Sequence, residues 1–206
     1  MKKRIISALL AFILTACFAF SLTSCAGEAP NLDGYRERFV YLIEESREMN
    51  VILFGVGLPV YRRDSELSDR KMVYYNNSLG NYDRVMENCG YISIEDIKLA
   101  IEDIYSSGYV EDVYEGAFDG LMTGEASAYV RFYDDGSYIY QHTNLYDFTV
   151  MERIYDYSTM EIVAPYTSDY INVKIESYTL EDSLRKEVYL SFVYENGNWY
   201  LDSPTY

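Results

Sequence analysis

From residue 126 to the end of the chain, apolar and polar residues alternate with a period of two, in runs broken by turn chemistry. That period sends every second side chain to the same face, so such runs fold as strands with one buried and one wetter face. They cover 127–133, 138–143, 147–156, 160–166, 170–179, 185–194 and 198–202, with DDGS, STM, TSD, LEDS and ENGN among the breaks. Short Asp, Asn, Gly and Ser breaks between alternating runs are hairpin signals, and consecutive hairpins make a meander. The 24 tyrosines fit the same picture, because tyrosine favours strands and covers a sheet face that is half wet.

Ahead of the alternation the period is helical. In residues 32–49, Tyr35, Phe39, Leu42 and Ile43 share one side, with Glu37, Glu44, Glu45 and Glu48 on the other. A second helix starts after Ser93, which can cap it; Glu95 and Asp96 complement its dipole, and Ile94, Ile97, Ile101 and Ile104 form one stripe. Ser106, Ser107 and Gly108 read as its end, and residues 109–118 as a further short helix. Helices followed by strands give an α+β fold: N-terminal helices packed on a curved antiparallel meander sheet of about six or seven strands.

Two stretches invite a ligand reading and fail it. VILFGVGLPVY, residues 51–61, is rich in glycine but lacks the third glycine of a dinucleotide-binding loop, and reads as extended or looped. RRDSELSDRK, residues 62–71, has Asp64, Glu66 and Asp69 but neither the central glycine nor the closing glutamate of a calcium loop, and reads as a solvated loop.

The amino terminus carries MKKR and then 18 residues, 5–22, without a charge, the arrangement of a basic n-region and an apolar h-region. At that length an uncleaved spanning helix is the competing reading. Leu22, Thr23, Ser24 and Cys25 resemble the lipobox of bacterial lipoprotein signal peptides. The resemblance implies cleavage before Cys25 and diacylglycerol on its sulfur. Leu14, Thr15, Ala16 and Cys17 match the same pattern, but FAFSL follows them, whereas the polar AGEAPN follows Cys25. The expected organisation is a signal peptide over 1–24, the lipidated Cys25 and a tether over 25–31, and one α+β domain over 32–206. The tether reaches at most about 20 Å, so the domain sits close to the extracytoplasmic face of the cell membrane.

Removing the leader takes three of the 17 cations and none of the 33 acids, leaving a net charge of −19. Such a surface repels phosphate backbones, so nucleic acid is excluded as a partner. The partners expected instead are the membrane, through the lipid anchor, and an envelope protein or a small ligand. Cys89 is then the one thiol left, and reads as a small buried filler with no disulfide partner.

No cofactor or metal-binding motif is present. There is neither a Gly-x-Ser-x-Gly elbow nor a His-Glu-x-x-His helix, and His142 is the only histidine. It shares a strand face with Tyr138 and Tyr140. Glu152 alternates with Phe148, Val150 and Ile154 on an apolar face, where burial raises a carboxyl pKa or demands a partner. Glu152, His142 and Tyr140 are therefore the candidate pocket residues, and no residue is assigned as catalytic.

The ending LSFVYENGNWYLDSPTY resembles the last hairpin of nuclear-transport-factor-two-like and cystatin-like domains. That resemblance implies helices wrapped by a curved sheet, with acids such as Glu152 in a pocket in some members. Residues 82–118 and 187–202 resemble small secreted inhibitors of bacterial cell-wall endopeptidases. The functional expectation is a lipid-anchored binding or protein-interaction domain without catalytic activity. Its alternatives are an inhibitor or regulator of cell-wall hydrolases, and a small-pocket enzyme of the transport-factor-like kind.

Overall fold

A computed structural model describes residues 30–61, 64–75, 78–118, 121–123, 127–142, 153–180 and 182–206. The chain divides into two units, Met1–Asn31 and Leu32–Tyr206, and the second carries the fold described below. Among the described residues no helix is long and apolar enough to cross a membrane.

A 3-10 turn, Leu32–Gly34, leads into helix α1, Arg36–Phe54. Its buried positions, Phe39, Leu42, Ile43, Ser46, Met49, Asn50 and Leu53, fall on one stripe at helical spacing. The helix runs through the first part of VILFGVGLPVY, and the loop begins only at Gly55. Helix α2, Ile94–Ile104, starts with a capping box: Ser93 Oγ accepts from Asp96 N–H while the Asp96 carboxylate accepts from Ser93 N–H. Ile97, Ile101 and Ile104 are its buried stripe. Helix α3, Ser107–Ala117, begins at the serines read above as the end of α2; Ser106 is its N-cap, accepting from Tyr109 N–H at 3.2 Å.

The strands are β1 (Arg70–Tyr75), β2 (Ser78–Arg84), β3 (Leu121–Thr123), β4 (Ser127–Tyr129), β5 (Phe132–Asp134), β6 (Ile139–His142), β7 (Arg153–Tyr166), β8 (Tyr170–Thr179), β9 (Lys186–Glu195) and β10 (Asn198–Leu201). The fold is α+β and its sheets are antiparallel. Among the described residues, however, the strands do not form one meander of six or seven. One four-stranded sheet has the order β1-β2-β6-β5, a second has the order β10-β9-β8-β7, and β3 pairs with β4. Two local features account for the difference. The β1–β2 hairpin, which spans charged and Asn-rich sequence, takes β6 as its neighbour through Tyr82 opposite His142. The STM read as a turn lies inside β7, at an irregularity between Asp156 and Glu161. There Thr159 Oγ1 donates to the Asp156 carbonyl at 2.8 Å and accepts from Glu176 N–H at 2.9 Å, so a side chain takes up bonds of the interrupted ladder.

Helix α1 packs on the sheet β10-β9-β8-β7, the larger of the two. Arg36 Nη1 donates to the Tyr157 carbonyl on edge strand β7 at 2.7 Å, and Arg38 Nε donates to the Trp199 carbonyl on the opposite edge strand β10 at 3.1 Å. Residues two apart in one helical turn thus fasten the helix to both edges of a four-stranded sheet. Phe39 fills the space between, stacked on Phe192 at 3.8 Å with Trp199 edge-on at 5.6 Å.

The last residues close the core with a buried polar network. Thr205 Oγ1 lies 2.6 Å from Ser46 Oγ and 2.8 Å from Asn50 Nδ2, and the Tyr155 hydroxyl donates to the Thr205 carbonyl at 2.9 Å. Tyr105 Oη lies 2.8 Å from Ser46 Oγ. The two polar residues of the α1 stripe are therefore there to hold the C-terminal segment. Replacing Thr205 with Val keeps the shape and strands their donors, so a loss of about 1–3 kcal/mol is expected in urea unfolding, with the slope unchanged. A loss under about 0.5 kcal/mol counts against a fastening role.

Candidate functional site

Tyr140 and His142 stand two apart on β6, the strand between β2 and β5. Tyr140 lies opposite Arg84 on β2 and Tyr133 on β5; His142 lies opposite Tyr82. Alternation therefore puts Tyr82, Arg84, Tyr133, Tyr140 and His142 on one face. That face is covered. Tyr140 is 0 % exposed and His142 8 %, and Tyr82, Val130 and Tyr140 form a small core of their own with Tyr133 packed against it.

Both side chains are held from the inside. The Tyr140 hydroxyl donates to Asp69 Oδ2 at 2.7 Å, and the Lys71 ammonium lies 4.3 Å above its ring while pairing with Asp135. The Tyr82 hydroxyl donates to the Val130 carbonyl at 2.9 Å, and the Tyr82 ring meets His142 edge to face at 5.0 Å. Burial pushes the Tyr140 phenol up, a push the Asp69 hydrogen bond reinforces. Burial pulls the His142 imidazole down to about 4; the positive charge of Arg131 adds to that, and Asp83 opposes it. Imidazole is thus neutral here throughout the neutral range.

The polar centre beside this face is Arg131. Its side chain is 1 % exposed, Nη1 donates to the His142 carbonyl at 2.8 Å, and Nη2 donates to the Gly55 carbonyl at 2.8 Å. Its main chain donates to the Ala117 carbonyl and accepts from His142 N–H. Gln141, on the other face of β6, accepts from Leu58 N–H at 2.7 Å. The glycine-rich loop after α1 is therefore a wrap around two buried side chains. Gly57 sits at φ +82°, where a Cβ would collide with the Arg131 guanidinium and the Gln141 amide.

Of the candidate pocket residues, Tyr140 and His142 come together in this packed face, and Glu152 lies outside the described residues, as does Cys25. Among the described residues no group of three or more His, Cys, Asp and Glu is placed to hold a metal ion. Cys89 is half-buried and donates to the Tyr91 carbonyl at 3.4 Å. Arg131 was not singled out from the sequence, although a cation inside the apolar run AYVRFY is the signal that marks it. No protein-family model and no curated protein matches the chain.

Arg131→Met removes a buried charge but orphans one buried and one half-buried carbonyl, and a loss of about 2–4 kcal/mol is expected in chemical denaturation; a neutral result refutes the clamp. His142, as the one histidine, gives an unambiguous imidazole signal in a proton NMR titration, with an expected midpoint near pH 4. Because its folded pKa is depressed, the unfolded chain binds that proton first. Stability therefore falls as pH drops from about 6.5 to about 4, by at most about 3 kcal/mol, and His142→Phe flattens that slope. A midpoint near the model-peptide value contradicts the burial argument.

Proposed function

We propose that the chain is a bacterial lipoprotein, held by lipid on Cys25 at the extracytoplasmic face of the cell membrane. Residues 32–206 are its binding or protein-interaction domain, without catalytic activity. The observation that carries the reading is the run Leu22-Thr23-Ser24-Cys25, which closes 18 uncharged residues behind a basic start and is followed at once by a polar tether. An aliphatic residue and two small ones suit a protease cleft, and the thiol is the nucleophile that lipid is transferred to. Two or more acyl chains make attachment stable where one is marginal.

The interior of the domain supports the binding reading over the small-pocket enzyme. Tyr140 and His142, which such an enzyme would aim at a substrate, are committed to Asp69, Tyr82 and the packing around them. The packing of α1 on β7–β10, whose last hairpin carries Trp199, supports the cystatin-like and transport-factor-like resemblance.

Labelled palmitate fed to cells is expected to enter the full-length protein and the Cys17→Ala variant equally. It is expected to be absent from Cys25→Ala, which keeps its leader and runs larger on a gel. Label lost in Cys17→Ala and kept in Cys25→Ala moves the processing site upstream; no label in any form removes the anchor.

A further inference from the structure

Along β8 the core-facing residues are Ile171, Val173 and Ile175, and then Ser177 and Thr179. The apolar face thus turns polar at one end of the sheet. The strand register brings two cations to that end, with Arg153 of β7 opposite Thr179 and Lys186 of β9 opposite Ser177. Directly opposed residues share a face, so Arg153, Ser177, Thr179 and Lys186 converge from three strands on the core-facing side. They line a cavity of about 110 Å³ together with Tyr178, Asp182 and Leu184.

We propose that this cavity binds a small monocarboxylate, with the Arg153 guanidinium as its fork and the Lys186 ammonium as its second charge. Three observations carry the assignment. Arg153 donates through Nη1 to Ser177 Oγ at 3.2 Å and forms no ion pair among the described residues. The other cations of β8 and around the start of β9, Lys174, Arg185 and Lys186, are all paired with carboxylates. A planar guanidinium facing a cavity with donors to spare matches a carboxylate in two-point geometry.

Charge sets the valence of the ligand. Lys186 Nζ lies 3.1 Å from Asp182 Oδ2, so among the described lining residues two cations and one carboxylate leave a single net positive charge, in a chain whose net charge is −16. One charge complements a monoanion; a dianionic phosphate would be under-compensated beside Asp182. Size sets the remainder: the cavity holds about as much as three or four water molecules, which is a carboxylate with one or two carbons. Leu184 on the wall offers the apolar contact such carbons need. A free short-chain acid and the C-terminal carboxylate of a peptide share this chemistry.

Arg185 supplies an internal control. It is an exposed cation next to Lys186, but it pairs with Asp156 and Glu176 and does not line the cavity.

The test is an amide NMR titration of the full-length chain in mild detergent, with propionate, N-acetylalanine, N-acetylalaninamide and inorganic phosphate as probes. Propionate is expected to give saturable shifts at residues 153, 177–179 and 182–186, with a Kd on the order of millimolar for so few atoms. N-acetylalanine matching it identifies a peptide C terminus as the source, and propionate alone identifies a free acid. Arg153→Gln and Lys186→Gln each weaken binding about tenfold or more, whereas Arg185→Gln leaves it unchanged. Lys186 is exposed, so its replacement tests the site even where Arg153→Gln fails to fold. Four results overturn the proposal: no saturable shift, equal binding of the amide, tighter binding of phosphate, or equal weakening by Arg185→Gln. The cavity deepens the binding half of the function proposed above and is separable from the anchor. A lost palmitate label with an intact titration faults the anchor alone, and the reverse faults the cavity alone.

Discussion

A guanidinium buried to 1 % exposure is the constraint around which the smaller sheet is arranged. Burying a charge is expensive unless donors are met, and the two terminal nitrogens of Arg131 donate to carbonyl oxygens from two separate segments, Gly55 and His142. Its own main chain reaches a third, Ala117 at the end of α3. One residue therefore ties the loop leaving α1, the end of α3 and strand β6 to a common point. The wrap of the 55–58 loop and the left-handed backbone at Gly57 depend on where that charge lies, and it adds to the burial that keeps His142 neutral.

The parts of the fold that were legible in the sequence are those decided by local periodicity and caps. The stripe Ile97, Ile101 and Ile104 and the Ser93 cap specify α2 without reference to anything distant. Strands β8, β9 and β10 are likewise local, since the Asn-Gly turn and clean alternation fix both face and register. Partner choice was not legible. Nothing local tells β6 to pair with β2, because that pairing brings together segments far apart in sequence. The turn-like STM inside β7 misled for a related reason: Ser158 and Thr159 carry side chains that imitate backbone hydrogen bonds, and only the neighbouring strand decides whether they end a ladder or mend it.

The candidate site divides along the same line. Alternation correctly put Tyr140 and His142 on one face, but it could not show that both faces of β6 are covered. A sheet with one wet face was assumed, and there a lone histidine beside tyrosines looks like a pocket. With Tyr82 and Val130 packed on it, the same pattern is a second small core. Arg153 and Lys186 were invisible for the opposite reason. Lys186 stands near the start of one alternating run and Arg153 within another, where a cation is unremarkable, and only the register sets them around one cavity.

Apart from Lys98, which lies over the Tyr114 and Phe118 rings, the cations among the described residues fall into two kinds, and the division explains how the domain tolerates its charge. Arg47, Arg70, Lys71, Arg84, Lys174, Arg185 and Lys186 pair with carboxylates near the surface, where each pair contributes little to stability but lowers local repulsion. Arg36, Arg38, Arg131 and Arg153 instead donate to neutral oxygens of the main chain or of Ser177. A neutral acceptor satisfies a donor without cancelling its charge. These four therefore keep their positive potential while they join elements: α1 to both edges of the larger sheet, three segments at Arg131, and two strands at Arg153. Three of the four are used up in that joining, because their oxygens come from elements already packed on one another. Arg153 alone does its joining at the rim of a cavity, which is why the positive potential there remains available to a ligand.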